Sequence, residues 1–136
     1  MHLHHVQISC PPGGEDVARR FYAEGLGLAE VPKPPALAGR GGCWFPALAP
    51  DGVVTAEIHV GVEEPFAPAR KAHPALLADD VAHLERIASR LVALGFAVDW
   101  SERLTFDGYE RFHAADGAGN RVEVLARVLS GDQRAG

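Results

Sequence analysis

The sequence predicts an α+β domain made of two paired βαβββ modules, with the helices lying outside the strands. Three observations carry this. The order strand, helix, strand, strand, strand occurs twice, although the halves share almost no residue identity. A segment rich in proline and charge, EEPFAPARKA over 63–72, divides the two runs. The length of 136 residues, 47% hydrophobic, suits a single compact domain with a proper core. Module one falls at about 1–62, the linker at 63–72 and module two at about 73–128, within one domain spanning 1–136.

Each element has its own signal. Residues 3–9, LHHVQIS, read as a strand, and CPPGG ends it. In EDVARRFYAE (15–24), Val17, Ala18, Phe21 and Tyr22 recur at helical spacing, and the glycines of GLGL close the helix. A short strand near 28–31 leads into the loop PKPPALAGRGG. CWFPAL (43–48) and VVTAEIHVGV (53–62) read as strands joined by a turn at Asp51-Gly52. HPALLA (73–78) restarts the pattern as a short strand. DDVAHLERIASRLVALG is the clearest helix. Val81, Leu84, Ile87, Ala88, Leu91 and Leu94 make one apolar stripe, and Gly95 stops it. FAVDW (96–100), YERFHAA (109–115) and, after the turn DGAGN, RVEVLARV (121–128) are the remaining strands.

Bulk chemistry narrows the function. The net charge is -5 and the lysines and arginines are scattered, which argues against nucleic acid and anionic membrane as partners. No apolar run approaches the roughly 18 residues of a membrane helix. The N-terminus lacks a basic region followed by an apolar core, so a cytoplasmic location is expected. Cys10 and Cys43 sit in no metal or redox spacing and read as reduced structural thiols.

The strand faces point to a site. Alternate residues of a strand point to opposite faces. Val6 and Ile8 share one face of the first strand; Leu3, His5, Gln7 and Ser9 share the other. In the next three cases, Ile58 and Val60 oppose Glu57 and His59, Pro74 and Leu76 oppose His73, and Val122 and Val124 oppose Arg121 and Glu123. The helices need the apolar faces. The opposite faces then carry His5, His59, His73 and Glu123, one candidate on the first and last strand of each half. A merely solvated face explains any one of these alone; four in corresponding places favour a metal centre. If the halves are pseudo-symmetric, their sheets curl together into one mixed sheet around a metal cleft. Three or four such ligands on rigid strands, with an open position, make a catalytic metal site.

These residues resemble the vicinal oxygen chelate superfamily. It includes glyoxalase I, bleomycin-resistance proteins, type I extradiol dioxygenases and methylmalonyl-CoA epimerase. The resemblance rests on LHHVQIS followed by a helix ending FYAEGLGL, on AEIHVGV, on HPALLADDVAHLERIASRLVALG and on DGAGNRVEVL. It implies paired βαβββ modules forming a curled sheet around a cleft. It places the metal ligands at His5, His59, His73 and Glu123, and implies a divalent Fe, Mn, Ni or Zn that chelates neighbouring substrate oxygens. It also implies a homodimer. Position 59 departs from the glyoxalase I pattern, where a glutamate serves as ligand and base. His5, His73 and Glu123 as a two-histidine, one-carboxylate set would suit non-haem Fe(II).

The expected function is a metal-dependent, glyoxalase-like enzyme (lyase, isomerase or dioxygenase) acting on a small substrate with vicinal oxygens. The alternative is a non-catalytic binding or drug-sequestering protein of the bleomycin-resistance type. In the enzyme, His59 or Glu57 moves a proton and Tyr109 is a candidate acid. Arg111, Arg121 and Gln7 are candidate substrate contacts. Arg121 could instead pair with Glu123 or form a rim salt bridge, and Tyr109 could be core. His4 is expected on the apolar side, and His113 at the surface, with a place lining a cavity as the alternative. Trp44 and Phe66 either shape the mouth of the cleft or simply pack.

Overall fold

The computed structural model describes residues 1–129. Module one contributes β1 (Val6–Cys10), α1 (Glu15–Ala18), a π-helical turn (Arg19–Gly25), α2 (Pro35–Ala38), β2 (Cys43–Leu48) and β3 (Val54–Val62). Module two contributes β4 (Ala75–Leu77), α3 (Val81–Ala93), β5 (Val98–Asp99), β6 (Tyr109–Ala115) and β7 (Arg121–Arg127).

The two halves repeat one topology. The first sheet runs β1-β3-β2 and the second β4-β7-β6-β5. In each, the first strand pairs parallel with the last, and the last pairs antiparallel with the one before it. β5 pairs with the outer edge of β6. Its counterpart in module one is reduced to a single bridge, Val31 to Trp44. The strand expected near 28–31 is therefore not formed. Pro32 follows at once and has no N–H to extend a ladder.

Other boundaries shift for local reasons. β1 begins at Val6, so His4 and His5 precede the ladder, and Leu3 is exposed. β4 begins after Pro74, so His73 also lies just outside its strand. The helix expected at 15–24 widens into a π-helical turn after Ala18, where the Leu26 N–H donates to the Phe21 carbonyl. The adjacent rings of Phe21 and Tyr22 are both fully buried there. The loop 32–42 contains α2, started by Pro35 at its first turn.

α3 follows the sequence closely. Asp80 caps it by accepting the His83 N–H at 2.6 Å, an interaction worth about 1 kcal/mol. Leu84, Ile87, Ala88 and Leu91 are its buried face. Gly25 lets α3 approach the first helix, since a Cβ there would lie 2.4 Å from Leu91 Cδ2. One core joins the modules: Phe21, Tyr22, Phe45 and Ile58 from the first, Leu84, Leu91, Phe112 and Val124 from the second.

A buried clasp also joins them. The Asp116 carboxyl accepts the Tyr22 hydroxyl at 2.7 Å, the Asn120 side-chain amide at 2.9 Å, and the backbone N–H groups of Ala118 and Asn120. The Asn120 amide also donates to the Ser9 carbonyl at 2.8 Å. The DGAGN turn is thus pinned to β1, and it fixes where β7 starts. No helix among the described residues is long and apolar enough to cross a membrane.

Candidate metal centre

The apolar faces of β3 and β7 go to the core, which leaves Glu57 and His59, and Glu123, on the opposite faces. Pairing registers then set the neighbours. Across the β6–β7 hairpin, His113 lies opposite Glu123, and Arg111 sits two residues back on the same face. The expected surface position for His113 is incorrect: it is 6% exposed. Ring and carboxylate meet under the sheet because antiparallel register puts them directly across from each other.

His73, His113 and Glu123 form a cluster whose ligand atoms all lie within 4.8 Å of one another. His73 Nε2 is 3.0 Å from Glu123 Oε2, and His113 Nε2 is 3.7 Å from the same oxygen. His73 Nδ1 is 2.7 Å from the Lys71 carbonyl. A carbonyl only accepts, so Nδ1 carries the hydrogen. In the neutral ring, Nε2 is then bare and faces a carboxylate oxygen. Two lone pairs at that distance require a cation between them, a proton or a metal ion. Two ligands bound to one ion at about 2.1 Å, at right angles, stand about 3 Å apart. A ring N–H donated to a backbone carbonyl is also how metal-bound histidines are oriented.

The remaining contacts fit this reading. His113 Nδ1 is buried with no hydrogen-bond partner. Arg111 Nη1 donates to Glu123 Oε1 at 3.1 Å, leaving Oε2 for the histidines. Arg111 is itself held by Thr105 Oγ1 at 2.7 Å and by the Glu102 carbonyl at 3.2 Å. Burial pushes the Glu123 carboxyl up, but hydrogen bonds from His73 and Arg111 outweigh it and hold the group below its ordinary value. Burial lowers the His113 imidazole, and the Arg121 charge adds to that.

Module one builds a second group. The His59 ring is stacked between His5, at 4.1 Å between centroids, and Trp44, at 4.0 Å. Its Nε2 lies 2.8 Å from Glu57 Oε2. Burial lowers its pKa, while Glu57 works in the opposite direction. His4 is exposed rather than on the apolar side, with Nδ1 3.0 Å from His5 Nδ1. Among the described residues, no hydrogen bond, ion pair or ring contact joins His5 and His59 to the His73–Glu123 cluster. The four candidates therefore fall into two pairs, one per module.

The other candidates are placed as follows. Gln7 lies opposite His59 in the β1–β3 register. Tyr109 is on the Glu123 face but four residues from His113, about 13 Å along the strand, packed on Phe106 and Arg127. Gln7, Phe66, His73 and Arg121 line a shared cavity.

The family model for the glyoxalase/bleomycin resistance protein/dioxygenase superfamily matches residues 2–124. The chain belongs to that superfamily. A solved glyoxalase family protein from Bacillus anthracis is 36% identical, with 94% of this chain and 96% of that chain covered and a TM-score of 0.80. Lactoylglutathione lyase from Agrobacterium tumefaciens is 23% identical, covering 96% of each chain at a TM-score of 0.66. TnmS3, an antibiotic binding protein from Streptomyces sp. CB03234, is 24% identical, covering 94% of this chain and 99% of that one at a TM-score of 0.62. No curated protein matches. A lyase and a binding protein thus share this fold, so function has to be argued from the site.

Proposed function

We propose that the chain is a metal-dependent enzyme of the vicinal oxygen chelate type, acting on a small molecule with adjacent oxygens. The observation that carries this is the cluster of His73, His113 and Glu123, whose ligand atoms all lie within 4.8 Å of one another, with His73 Nε2 3.0 Å from Glu123 Oε2. A bound divalent ion would supply a Lewis acid that draws charge from the substrate oxygens and stabilises an enolate-type anion.

The chain's own residues do the rest. His73 and Glu123 hold the ion, and Arg111 keeps Glu123 turned toward it. His113 is the third donor within the same chain. Two histidines and one carboxylate leave coordination positions open for substrate, a set that suits Fe(II) and tolerates Mn, Ni or Zn. His59, lowered by burial, is neutral near pH 7. With Nε2–H donated to Glu57 it keeps a bare Nδ1 able to take a proton.

A second ligand set is supported by the stacked His5–His59 pair. In a homodimer, this preformed pair from one copy would complete the His73–Glu123 pair of the other. His113 would then serve as a neighbour of Glu123 rather than as a ligand.

Elemental analysis of untagged protein tests both. About one transition-metal ion per chain, lost in His73→Ala and Glu123→Ala, is the expected result. Loss in His113→Ala but not His5→Ala assigns the single-chain set; the reverse assigns the shared set. No metal in any sample, and none taken up on titration, overturns the enzyme reading in favour of a non-catalytic binder. A metal-loaded protein then goes to an anaerobic screen of compounds with adjacent oxygens.

A further inference from the structure

Arg121 stands apart from the other arginines. Among the described residues four arginines are half-buried: Arg19, Arg103, Arg111 and Arg121. The first three each hold a carboxylate, Glu30 at 2.9 Å, Glu110 at 2.6 Å and Glu123 at 3.1 Å. Arg121 makes no hydrogen bond or ion pair among the described residues. The exposed Asp99 carboxylate, held below its ordinary value first by hydrogen bonds from Ser101, feels the Arg121 charge only at longer range, and a partly buried guanidinium with no directly bonded counter-ion is costly. The position asks for an anion from outside the chain.

Arg121 lines a cavity of about 360 Å³, near the small end of the roughly 300–1,000 Å³ typical of ligand pockets. The edge strand β1 forms one wall, through Val6 and Ile8, and the linker forms the other, through Phe66 and Ala72. The lining is mainly apolar. Gln7 adds a neutral amide, and Glu63, the one acidic residue of the lining, is exposed. His73 lines the same cavity and belongs to the metal cluster. Arg121 precedes Glu123 by two residues on one face, about 7 Å along the strand.

We infer that the substrate is a short carboxylic acid with an apolar body. Its carboxylate pairs with the Arg121 guanidinium, its apolar part lies against Val6, Ile8 and Phe66, and its adjacent oxygens reach toward His73 and Glu123. The last clause rests on the metal-dependent reading; the pocket itself does not.

The test titrates 3-methylbutanoate and its neutral amide, 3-methylbutanamide, into the full chain with EDTA present, followed by amide NMR shifts. Saturable shifts are expected at 6–9, 63–74 and 120–121. The amide should bind at least about tenfold more weakly. Arg121→Gln should reduce the acid to the amide's level, and Arg121→Lys should fall between. Equal binding of acid and amide, shifts elsewhere, or an acid affinity unchanged in folded Arg121→Gln would overturn the inference. So would no acid binding up to about 50 mM. If Arg121→Gln fails to fold, Arg121→Lys and the wild-type acid-to-amide ratio still decide. The measurement is made without metal. Failure here therefore leaves the metal centre standing, and acid binding in a chain that takes up no metal leaves only the pocket standing.

Discussion

Tyr22→Phe probes the clasp that places β7, and its cost can be worked from the contacts. The Tyr22 hydroxyl is fully buried and donates to Asp116 Oδ2 at 2.7 Å. Burial and the neighbouring Asp116 push its pKa well above the usual tyrosine value, so the hydroxyl remains a neutral donor. Removing it leaves Asp116 with its three N–H donors, so the loss is one charge-assisted bond, about 1.5–3 kcal/mol. Asp116→Ala is worse. It strands the Tyr22 hydroxyl and the N–H groups of Ala118 and Asn120, while the Asn120 side chain keeps Ser9. Three stranded donors at about 1–3 kcal/mol each, softened where the turn meets water, give about 3–5 kcal/mol. Urea unfolding of the metal-free protein measures both. Because the two substitutions break a shared bond, the double variant should cost about 1–2 kcal/mol less than their sum. A Tyr22→Phe effect below about 0.5 kcal/mol, or strict additivity in the double variant, would refute the clasp.

Gly42→Ala should cost at least about 2 kcal/mol, because Gly42 has φ +84 and an added Cβ would lie 2.1 Å from the Val60 carbonyl oxygen; an unchanged urea midpoint would contradict this. Leu84→Ala, at a fully buried position of α3, should cost about 2–5 kcal/mol in the same assay. Metal-free protein should lose stability as pH falls below 6.5. His59 and His113 have folded values lowered by burial, so the unfolded chain takes up their protons first. The loss runs from 6.5 down to the lowered folded values and then levels off. Replacing both by glutamine should flatten that slope in a pH series of melting curves. Glu123, also lowered, contributes fully above its ordinary 4.5 and loses that contribution as pH falls through its folded value. Arg111→Met removes one cause of that lowering, so the acid loss should move to higher pH.

The strand, helix and closing hairpin of each half, the boundaries of β2 and β6 and the buried stripe of α3 were legible because each rests on local periodicity. The strand near 28–31 was misjudged because one proline outweighs the propensity of its neighbours. The π-helical turn was invisible, since Phe21 and Tyr22 fit an ordinary helical spacing equally well. Alternation along β3 and β7 did separate the core residues Ile58, Val60, Val122 and Val124 from Glu57, His59 and Glu123. It could not say whether the faces of the two modules meet.

His113 shows what was available and unused. Both arms of the β6–β7 hairpin and its DGAGN turn were readable. Ala115 and Arg121 flank that turn as a pair, and counting outward from them sets Ala114 against Val122 and His113 against Glu123. Alternation along a single strand assigns a face; only the register across the hairpin assigns a neighbour. The same count puts Arg111 on the Glu123 face, within reach of its carboxylate. Among the described residues Arg121 has no carboxylate within hydrogen-bond or ion-pair distance. The two arginines of one hairpin therefore differ: Arg111 is bonded to the Glu123 carboxylate, whereas Arg121 lines the cavity between β1 and the linker.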